Sequence, residues 1–269
     1  MRLHTTALLT TTLTAAALLP VALPASAAAA PAKYADDFNG DGYRDLAVSA
    51  PNATVSGKEH AGQVVVFYGS AQGLSPTRKQ TVSKASRGIP GAPEKYASFG
   101  EGLAAGDLDR DGYADLVVGT PRKDTGSDRD AGDVTVIWGG RSGLTAGATI
   151  KPAAVPDRGC AFGEGLAVGD TDGNGAADVT VGSRCGAQFF YGPFTRAGAP
   201  LKKERDRQLG TTRGAVVGNV DGDAVRGAHH AARPVQRRST RARIRRQLGR
   251  RAVQAHRVAA CRRHGRSRR

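Results

Sequence analysis

Short runs of valine and aromatic residues, each bounded by glycine, form the main hydrophobic pattern of this chain. The runs at residues 61–69 and 131–139 are the clearest, and residues 185–192 form a degenerate third copy. Runs of this length and composition are typical of buried strands, because they are too short and too β-branched for helices. The 36 glycines and 13 prolines among the 269 residues also disfavour helices.

A longer motif precedes these runs and repeats along the chain. Residues 99–119 and 162–182 are identical at 14 of 21 positions, at an offset of 63 residues. An earlier copy at residues 37–51 lacks the opening Phe-Gly pair, and a fourth copy starts at residues 218–223 and then stops matching.

Each complete unit is predicted to contain a strand, an acidic turn, a second strand, a loop and a third strand. Residues 77–82 and 148–153 are candidates for one further strand in their units. A four-stranded unit that recurs about every sixty residues is typical of a β-propeller blade. We therefore predict an all-β fold made of propeller blades.

The acidic turn of each copy carries oxygen ligands at alternating positions. Side chains at positions 1, 3, 5 and 9 and the backbone carbonyl at position 7 can converge on one point, and glycine at position 6 permits the sharp turn. Hard oxygen ligands in this order suit Ca²⁺. The predicted ligands are Asp37, Asn39, Asp41, Tyr43 and Asp45 in the first loop, Asp107, Asp109, Asp111, Tyr113 and Asp115 in the second, and Asp170, Asp172, Asn174, Ala176 and Asp178 in the third.

Position 12 of these loops excludes an EF-hand. An EF-hand needs a bidentate glutamate there, whereas Val48, Val118 and Val181 occupy this position inside predicted strands. The alternative is an Asx-rich turn without metal. The repeated ninth-position aspartate favours a metal, because a plain turn does not require it. We expect the second loop, with four carboxylates, to bind most tightly, in the range of roughly 10⁻⁴–10⁻³ M.

These motifs resemble the FG-GAP repeat family, which forms the propeller blades of integrin α subunits and of secreted bacterial proteins. The resemblance covers residues 34–223 and rests on the acidic loops, on Phe99-Gly100 and Phe162-Gly163, and on a Gly-Thr-Pro at residues 119–121 where the family has Gly-Ala-Pro. It implies a propeller with calcium-holding loops on one face. The family closes a ring of about seven blades, and this chain has three and a fragment, so we expect open blade edges that permit self-association.

The two ends of the chain differ in composition from the repeats. Residues 1–27 combine an apolar run with an Ala-Ser-Ala cleavage pattern, which predicts a secretory signal peptide; the alternative is an N-terminal membrane anchor. Residues 224–269 hold 16 arginines and no acidic residue, which leaves 23 basic and 24 acidic residues elsewhere, so this tail carries the whole formal excess of +15. The tail is expected to be disordered. It is either a basic arm for nucleic acid or anionic surfaces, or the product of a frameshift, which the abrupt change inside a motif favours.

Cysteine usage is compatible with export. Cys160 and Cys185 either form a disulfide in the third unit or remain buried thiols, and Cys261 in the tail is expected to be unpaired.

No catalytic constellation is recognised in the sequence. The chain lacks a Gly-x-Ser-x-Gly elbow, a metal-type histidine pair and a phosphate loop with lysine, and His60 is expected to be a solvated loop residue. We predict a secreted, non-enzymatic, calcium-binding module for binding or adhesion to a protein or glycan, with no specific nucleic acid. The alternative is a fragment or accessory region of a larger secreted hydrolase.

Overall fold

The structure, a computed structural model, describes residues 29–153, 158–207, 209, 211–212 and 214. These residues form eleven strands in three antiparallel sheets. The strands are β1 (Leu46–Ala50), β2 (Gln63–Phe67), β3 (Lys79–Val82), β4 (Leu103–Gly106), β5 (Asp115–Thr120), β6 (Asp133–Ile137), β7 (Gly147–Thr149), β8 (Gly165–Gly169), β9 (Asp178–Ser183), β10 (Gly186–Tyr191) and β11 (Lys202–Asp206). The predicted signal peptide, the fourth acidic loop and the basic tail lie outside the described residues.

The three sheets are consecutive blades of a partial β-propeller. Blade 1 contains β1 to β3, blade 2 contains β4 to β7 and blade 3 contains β8 to β11, and strands adjacent in sequence pair within each blade. The further strands predicted at residues 77–82 and 148–153 are present in part, as Lys79–Val82 and Gly147–Thr149. In blade 2, Pro152 lacks the N–H that would continue the pairing. The all-β, partial-propeller prediction is therefore confirmed.

Hydrophobic side chains fill the two spaces between neighbouring blades. Successive residues of a strand point to opposite faces of the sheet. Leu116 and Val118 of β5 accordingly face the core shared with blade 1, whereas Val117 between them faces the core shared with blade 3. Blade 2 is thus stabilised mainly by the burial of both its faces, and blades 1 and 3 by the burial of the face that packs on blade 2.

The Phe-Gly pair at the start of a blade joins that blade to the preceding one. Phe99 is fully buried between blades 1 and 2, and its backbone N–H donates to the carbonyl of Ala61 at 2.9 Å. Gly100 has a φ of +91°, and a Cβ there would lie 2.9 Å from a methyl of Val64. The phenylalanine fills the core and the glycine permits the close approach; Phe162 repeats this arrangement between blades 2 and 3.

Blade 1 has three strands where blades 2 and 3 have four. By sequence, β1 is equivalent to β5 and β9, so the strand equivalent to β4 and β8 is missing from blade 1 among the described residues. Leu46 and Val48 in β1 are 45% and 41% exposed, whereas the equivalent Leu116 and Val118 are 1% and 0% exposed. The chain therefore leaves an apolar strand at an open edge.

A disulfide joins Cys160, just before β8, to Cys185 in the turn between β9 and β10. Of the two sequence alternatives, the structure contains the bonded pair. Because the cysteines are 25 residues apart, we expect the Cys160→Ser/Cys185→Ser double variant to lose about 3 kcal/mol of unfolding free energy. Urea denaturation measures this loss, with Cys261→Ser as the control, and an unchanged midpoint in the double variant would contradict the expectation.

Candidate metal centre

The three acidic loops lie side by side on one face of the blades. They are loop 1 (residues 37–45), loop 2 (residues 107–115) and loop 3 (residues 170–178). Loop 2 contacts both of its neighbours: Ala114 N–H donates to the Asp37 carbonyl at 3.0 Å, and the Arg110 guanidinium donates to the Asn174 carbonyl at 3.0 Å. The single-face arrangement follows from the blade repeat, since each loop leads into the equivalent strand of its blade.

The aspartate at position 9 anchors each loop to the blade. In loop 2, Asp115 accepts hydrogen bonds from the backbone N–H groups of Leu108 and Gly139, both at 2.9 Å. Asp45 and Asp178 accept the equivalent pairs of bonds in loops 1 and 3. This carboxylate therefore holds the loop on its blade, which gives its recurrence a structural reason beside the predicted metal.

The aspartate at position 1 closes the turn of each loop by accepting hydrogen bonds from backbone N–H groups later in the loop. Asp107 accepts from the N–H groups of Asp111 and Gly112, both at 3.2 Å, and Gly112 has a φ of +91°, which favours glycine. Asp37 accepts from the same two positions of loop 1, and Asp170 accepts from two backbone N–H groups of loop 3. The loop is thus closed by its own carboxylates.

Carboxylates from positions 1, 3 and 9 converge in loops 2 and 3. In each set, oxygen atoms from the three residues lie within 4.8 Å of one another. The sets are Asp107, Asp109 and Asp115, and Asp170, Asp172 and Asp178. Loop 1 has Asn39 at position 3, so it offers an amide oxygen where the other loops offer a carboxylate. Both kinds of oxygen are ligands that Ca²⁺ accepts.

Positions 5 and 7 are outside these carboxylate sets. Asp111 accepts from the N–H of Tyr113 at 3.0 Å, and Asp41 accepts from the N–H of Tyr43 at 3.0 Å. Asn174 accepts from Ala176 in the same way at 2.7 Å. These bonds hold the turn in shape, and the role of the position-7 carbonyls as ligands stays a prediction.

Burial and like charge perturb the carboxylates of loop 2. Asp109 Oδ1 is buried and has no hydrogen-bond partner among the described residues. Burial and then the charge of Asp111 raise the pKa of Asp109 to about 6, against the lowering effect of Arg196. Burial likewise raises the pKa of Asp115 to about 7. An unpartnered oxygen among acidic neighbours is costly, and a divalent cation would satisfy it, so the residues of loop 2 fit a hard metal ion.

An arginine that the sequence analysis missed lies against loop 2. Arg196, in the connection between β10 and β11, forms ion pairs with Asp109 and Asp111. Its guanidinium lies 5.2 Å from the centre of the Trp138 ring, and the Trp138 indole N–H donates to the Arg196 carbonyl at 3.1 Å. The packing of blade 3 on blade 2 brings Arg196 here from 85 residues away, and no local sequence signal indicates that contact.

The model of the FG-GAP repeat family matches residues 35–67 and 99–137. This chain contains FG-GAP repeats. The matched segments include loops 1 and 2, and blade 3 repeats their strand pairing and the hydrogen bonds of their position-9 aspartate. The resemblance inferred from the sequence is therefore confirmed.

Relatives of two kinds share this FG-GAP region. The phosphatidylinositol-glycan-specific phospholipase D of Rattus norvegicus is 32% identical over 147 residues, which are 55% of this chain and 17% of that protein. Integrin alpha-PS5 of Drosophila melanogaster is 34% identical over 164 residues, 58% of this chain and 15% of the integrin. Integrin alpha-IIb of Homo sapiens is 35% identical over 157 residues, which are 55% of this chain and 14% of that integrin.

The chain spans about a sixth of the length of these relatives. The phospholipase D is matched only over its repeat region. The similarity therefore supports a propeller binding module and does not identify any catalytic residue in this chain. Within the part of the chain that the structure describes, no helix has the length and apolar character needed to cross a bilayer.

Proposed function

We propose that this chain is a calcium-binding FG-GAP propeller module that acts outside the cell as a non-enzymatic binding or adhesion partner for a protein or glycan. The observation that carries the proposal is one loop geometry, anchored by a position-9 aspartate, that is repeated three times on one face. Carboxylates converge in two of these loops, and Asp109 has a buried, unpartnered oxygen. The carboxylate and amide oxygens of these loops match the hard donors that Ca²⁺ prefers.

The loops would hold the ion through residues that the fold already orients. The position-1 and position-9 aspartates are fixed by backbone N–H groups, and each oxygen keeps a further lone pair for a cation. Calcium supplies charge neutralisation among the clustered carboxylates. Because loop 2 contacts both neighbouring loops, we expect occupancy to stiffen the whole face on which a partner would dock.

Two features support an extracellular setting. The predicted signal peptide at residues 1–27 would direct export, and the disulfide between Cys160 and Cys185 is of the kind that persists in oxidising compartments. The affinity range expected for such loops, roughly 10⁻⁴–10⁻³ M, is useful only where calcium is abundant.

Calcium titration of the full chain by calorimetry, followed by glycan-array binding in calcium and in EDTA, tests the proposal. Heat of binding in folded protein is expected, and its absence would contradict the metal assignment. A glycan signal that requires calcium would identify a glycan partner. No glycan signal in calcium would restrict the partner to protein, and a signal unaffected by EDTA would contradict a role of the loops in binding.

Arg196 is expected to weaken calcium binding at loop 2, because it already neutralises part of the charge of two carboxylates. The Arg196 side chain is half exposed, so solvent limits its contact to about 0.3–1 kcal/mol, and Arg196→Gln should tighten binding at loop 2 by roughly two- to fivefold. The contact also offsets the advantage that four carboxylates give this loop. NMR titration of the Gly112 amide measures the change.

Arg184→Gln is the matched control for Arg196→Gln. Arg184 is similarly exposed and pairs with Glu164 in blade 3, outside the three loops. If both variants shift the loop 2 affinity equally, a general charge effect explains the result and the specific contact of Arg196 does not.

A second candidate function is an accessory region of a larger secreted hydrolase. The match to part of a phosphatidylinositol-glycan-specific phospholipase D favours it. The coding sequence downstream of this chain, read in all frames, separates the two candidates. Further blades alone would favour the binding module, and a catalytic motif would favour the hydrolase.

A further inference from the structure

The segment that precedes loop 1, residues 29–33, lies across loop 2 of the neighbouring blade, and we call it the strap. The Ala32 N–H donates to Asp107 Oδ2 at 2.9 Å, although the two residues are 75 positions apart in the chain. A Cβ placed on Gly112 would lie 3.0 Å from the Ala30 carbonyl oxygen. The strap therefore contacts loop 2 both at its position-1 carboxylate and at its turn glycine.

The strap is anchored beside loop 1. Tyr34 directly follows it, and two cations contact the Tyr34 ring: Lys33 Nζ lies 4.9 Å from the ring centre and the guanidinium carbon of Arg44 lies 4.8 Å from it. Arg44 belongs to loop 1 and also pairs with Asp36 at 3.2 Å. Cation–π contacts of this kind hold the aromatic ring in place. They fix the point from which the chain reaches over to loop 2.

The strap uses an acceptor site on a predicted calcium ligand. A carboxylate oxygen offers about two lone pairs. Asp107 Oδ2 accepts from the Gly112 N–H at 3.2 Å as well as from Ala32, so it is the exception among the oxygens that keep a lone pair for a cation. Among the described residues, the equivalent Asp37 and Asp170 accept only from N–H groups of their own loops, one to each oxygen.

The other carboxylates of this set are covered by the chain as well. The Asp109 side chain is only 6% exposed, and Arg196 covers it from blade 3. Asp115 is fully buried against its blade. A cation that binds all three carboxylates of loop 2 therefore meets groups of the chain that already contact them, and the strap is the group that contacts Asp107.

We propose that the strap competes with calcium for Asp107, so that calcium binding at loop 2 releases residues 29–33 and the bound strap lowers the calcium affinity of loop 2. This inference rests on the proposed function, because it concerns the regulation of a loop assigned there to calcium. The factor by which calcium favours release of the strap equals the factor by which release tightens calcium binding. One hydrogen bond in a half-buried site makes that factor roughly two- to tenfold.

The alternative is a strap that strengthens loop 2 by supplying the Ala30 carbonyl oxygen as a further ligand. The contact made by Ala32 disfavours this arrangement. Its N–H hydrogen carries a partial positive charge and points at the carboxylate that the cation would bind. The two arrangements predict opposite effects on calcium affinity when this N–H is removed.

A calcium titration of the full chain, followed by amide NMR, tests the proposal in the wild type. The Ala32 amide is expected to shift with the same midpoint as the Gly112 amide, and its hydrogen exchange should become faster in saturating calcium. Gly42 and Gly175 report loops 1 and 3. Shifts of the three glycines with an unmoved Ala32 would overturn the strap proposal alone. No shift at any of the three glycines would contradict the calcium sites themselves, and the strap proposal with them.

Ala32→Pro removes the N–H that binds Asp107, because proline has no backbone N–H. This variant is expected to tighten calcium binding at loop 2 by roughly two- to tenfold, measured at Gly112. Ala30→Pro is the matched control, since it places a proline in the same strap and retains the Ala32 N–H, whose amide signal shows that the strap is still bound. An unchanged or weaker affinity in Ala32→Pro, or an equal gain in Ala30→Pro, would overturn the proposal.

Discussion

Replacing Asp133 with alanine is expected to lower the free energy of unfolding by about 3–5 kcal/mol, because it leaves a buried ammonium group without its counter-charge. Lys84, after β3, has a side chain only 4% exposed and reaches across to β6 of blade 2. Its Nζ donates to Asp133 at 2.9 Å, to Thr135 at 2.7 Å and to the Pro90 carbonyl at 3.1 Å, and lies 5.6 Å from the centre of the Phe99 ring. The ammonium thus ties blade 1 to blade 2.

Chemical denaturation measures this loss, and two further variants isolate its cause. Glu94→Ala removes the partner of Lys123 in a more exposed ion pair and should cost less than about 1 kcal/mol. Lys84→Met combined with Asp133→Ala should recover much of the stability, because the double variant no longer contains a buried ammonium group without a counter-charge. Equal losses in Asp133→Ala and Glu94→Ala would show that the Lys84–Asp133 pair contributes no more to stability than the more exposed pair does.

Removing calcium is expected to lower the melting temperature by roughly 10 °C. A site held at ten times its Kd adds about 1.4 kcal/mol, so three independent loops add about 4 kcal/mol. For a protein of this size, each kcal/mol shifts the melting temperature by about 2–4 °C. Trp138, the chain's one tryptophan, is 2% exposed in the core between blades 2 and 3, so its fluorescence reports the unfolding in calcium and in EDTA.

Asp109→Asn separates metal binding from turn formation in this experiment. Because Asp109 Oδ1 has no hydrogen-bond partner among the described residues, removing its charge should raise the melting temperature in EDTA and reduce the gain from calcium by about a third. Asp124→Asn, in the connection between β5 and β6, is the control and should retain the full gain. If Asp109→Asn destabilises the protein equally with and without calcium, its role is structural only.

Local sequence patterns were sufficient to predict the strands and the loops. The glycine-bounded runs became β2, β6 and β10, and the valines at position 12 of the loops lie inside β1, β5 and β9, as expected. These features depend on residues near in sequence: alternation along a strand, and a turn closed by its own aspartates and a glycine such as Gly112 with positive φ. The repeat itself then implied the propeller, because identical units must pack in equivalent ways.

Contacts between blades could not be predicted from the sequence. The Lys84 ion pair joins positions 49 residues apart, and Arg196 reaches loop 2 from 85 residues away, so neither leaves a local signal. The sequence predicts the position-9 aspartates as ligands only, because their bonds to backbone N–H groups such as that of Gly139 depend on the end of another strand. The exposure of Leu46 likewise depends on packing between blades, because among the described residues no blade packs on the outer face of blade 1.

A calcium titration followed by amide NMR tests the central claim, that the three loops are calcium sites, most directly. The position-6 glycines Gly42, Gly112 and Gly175 each donate to a position-1 carboxylate, so their amides report the three loops separately. We predict saturable shifts of these three signals with Kd values of roughly 10⁻⁴–10⁻³ M, while Gly57 and Gly126, in turns outside the loops, stay unchanged. A folded spectrum in which the three loop glycines do not move, or move no more than the two control glycines, would contradict the claim.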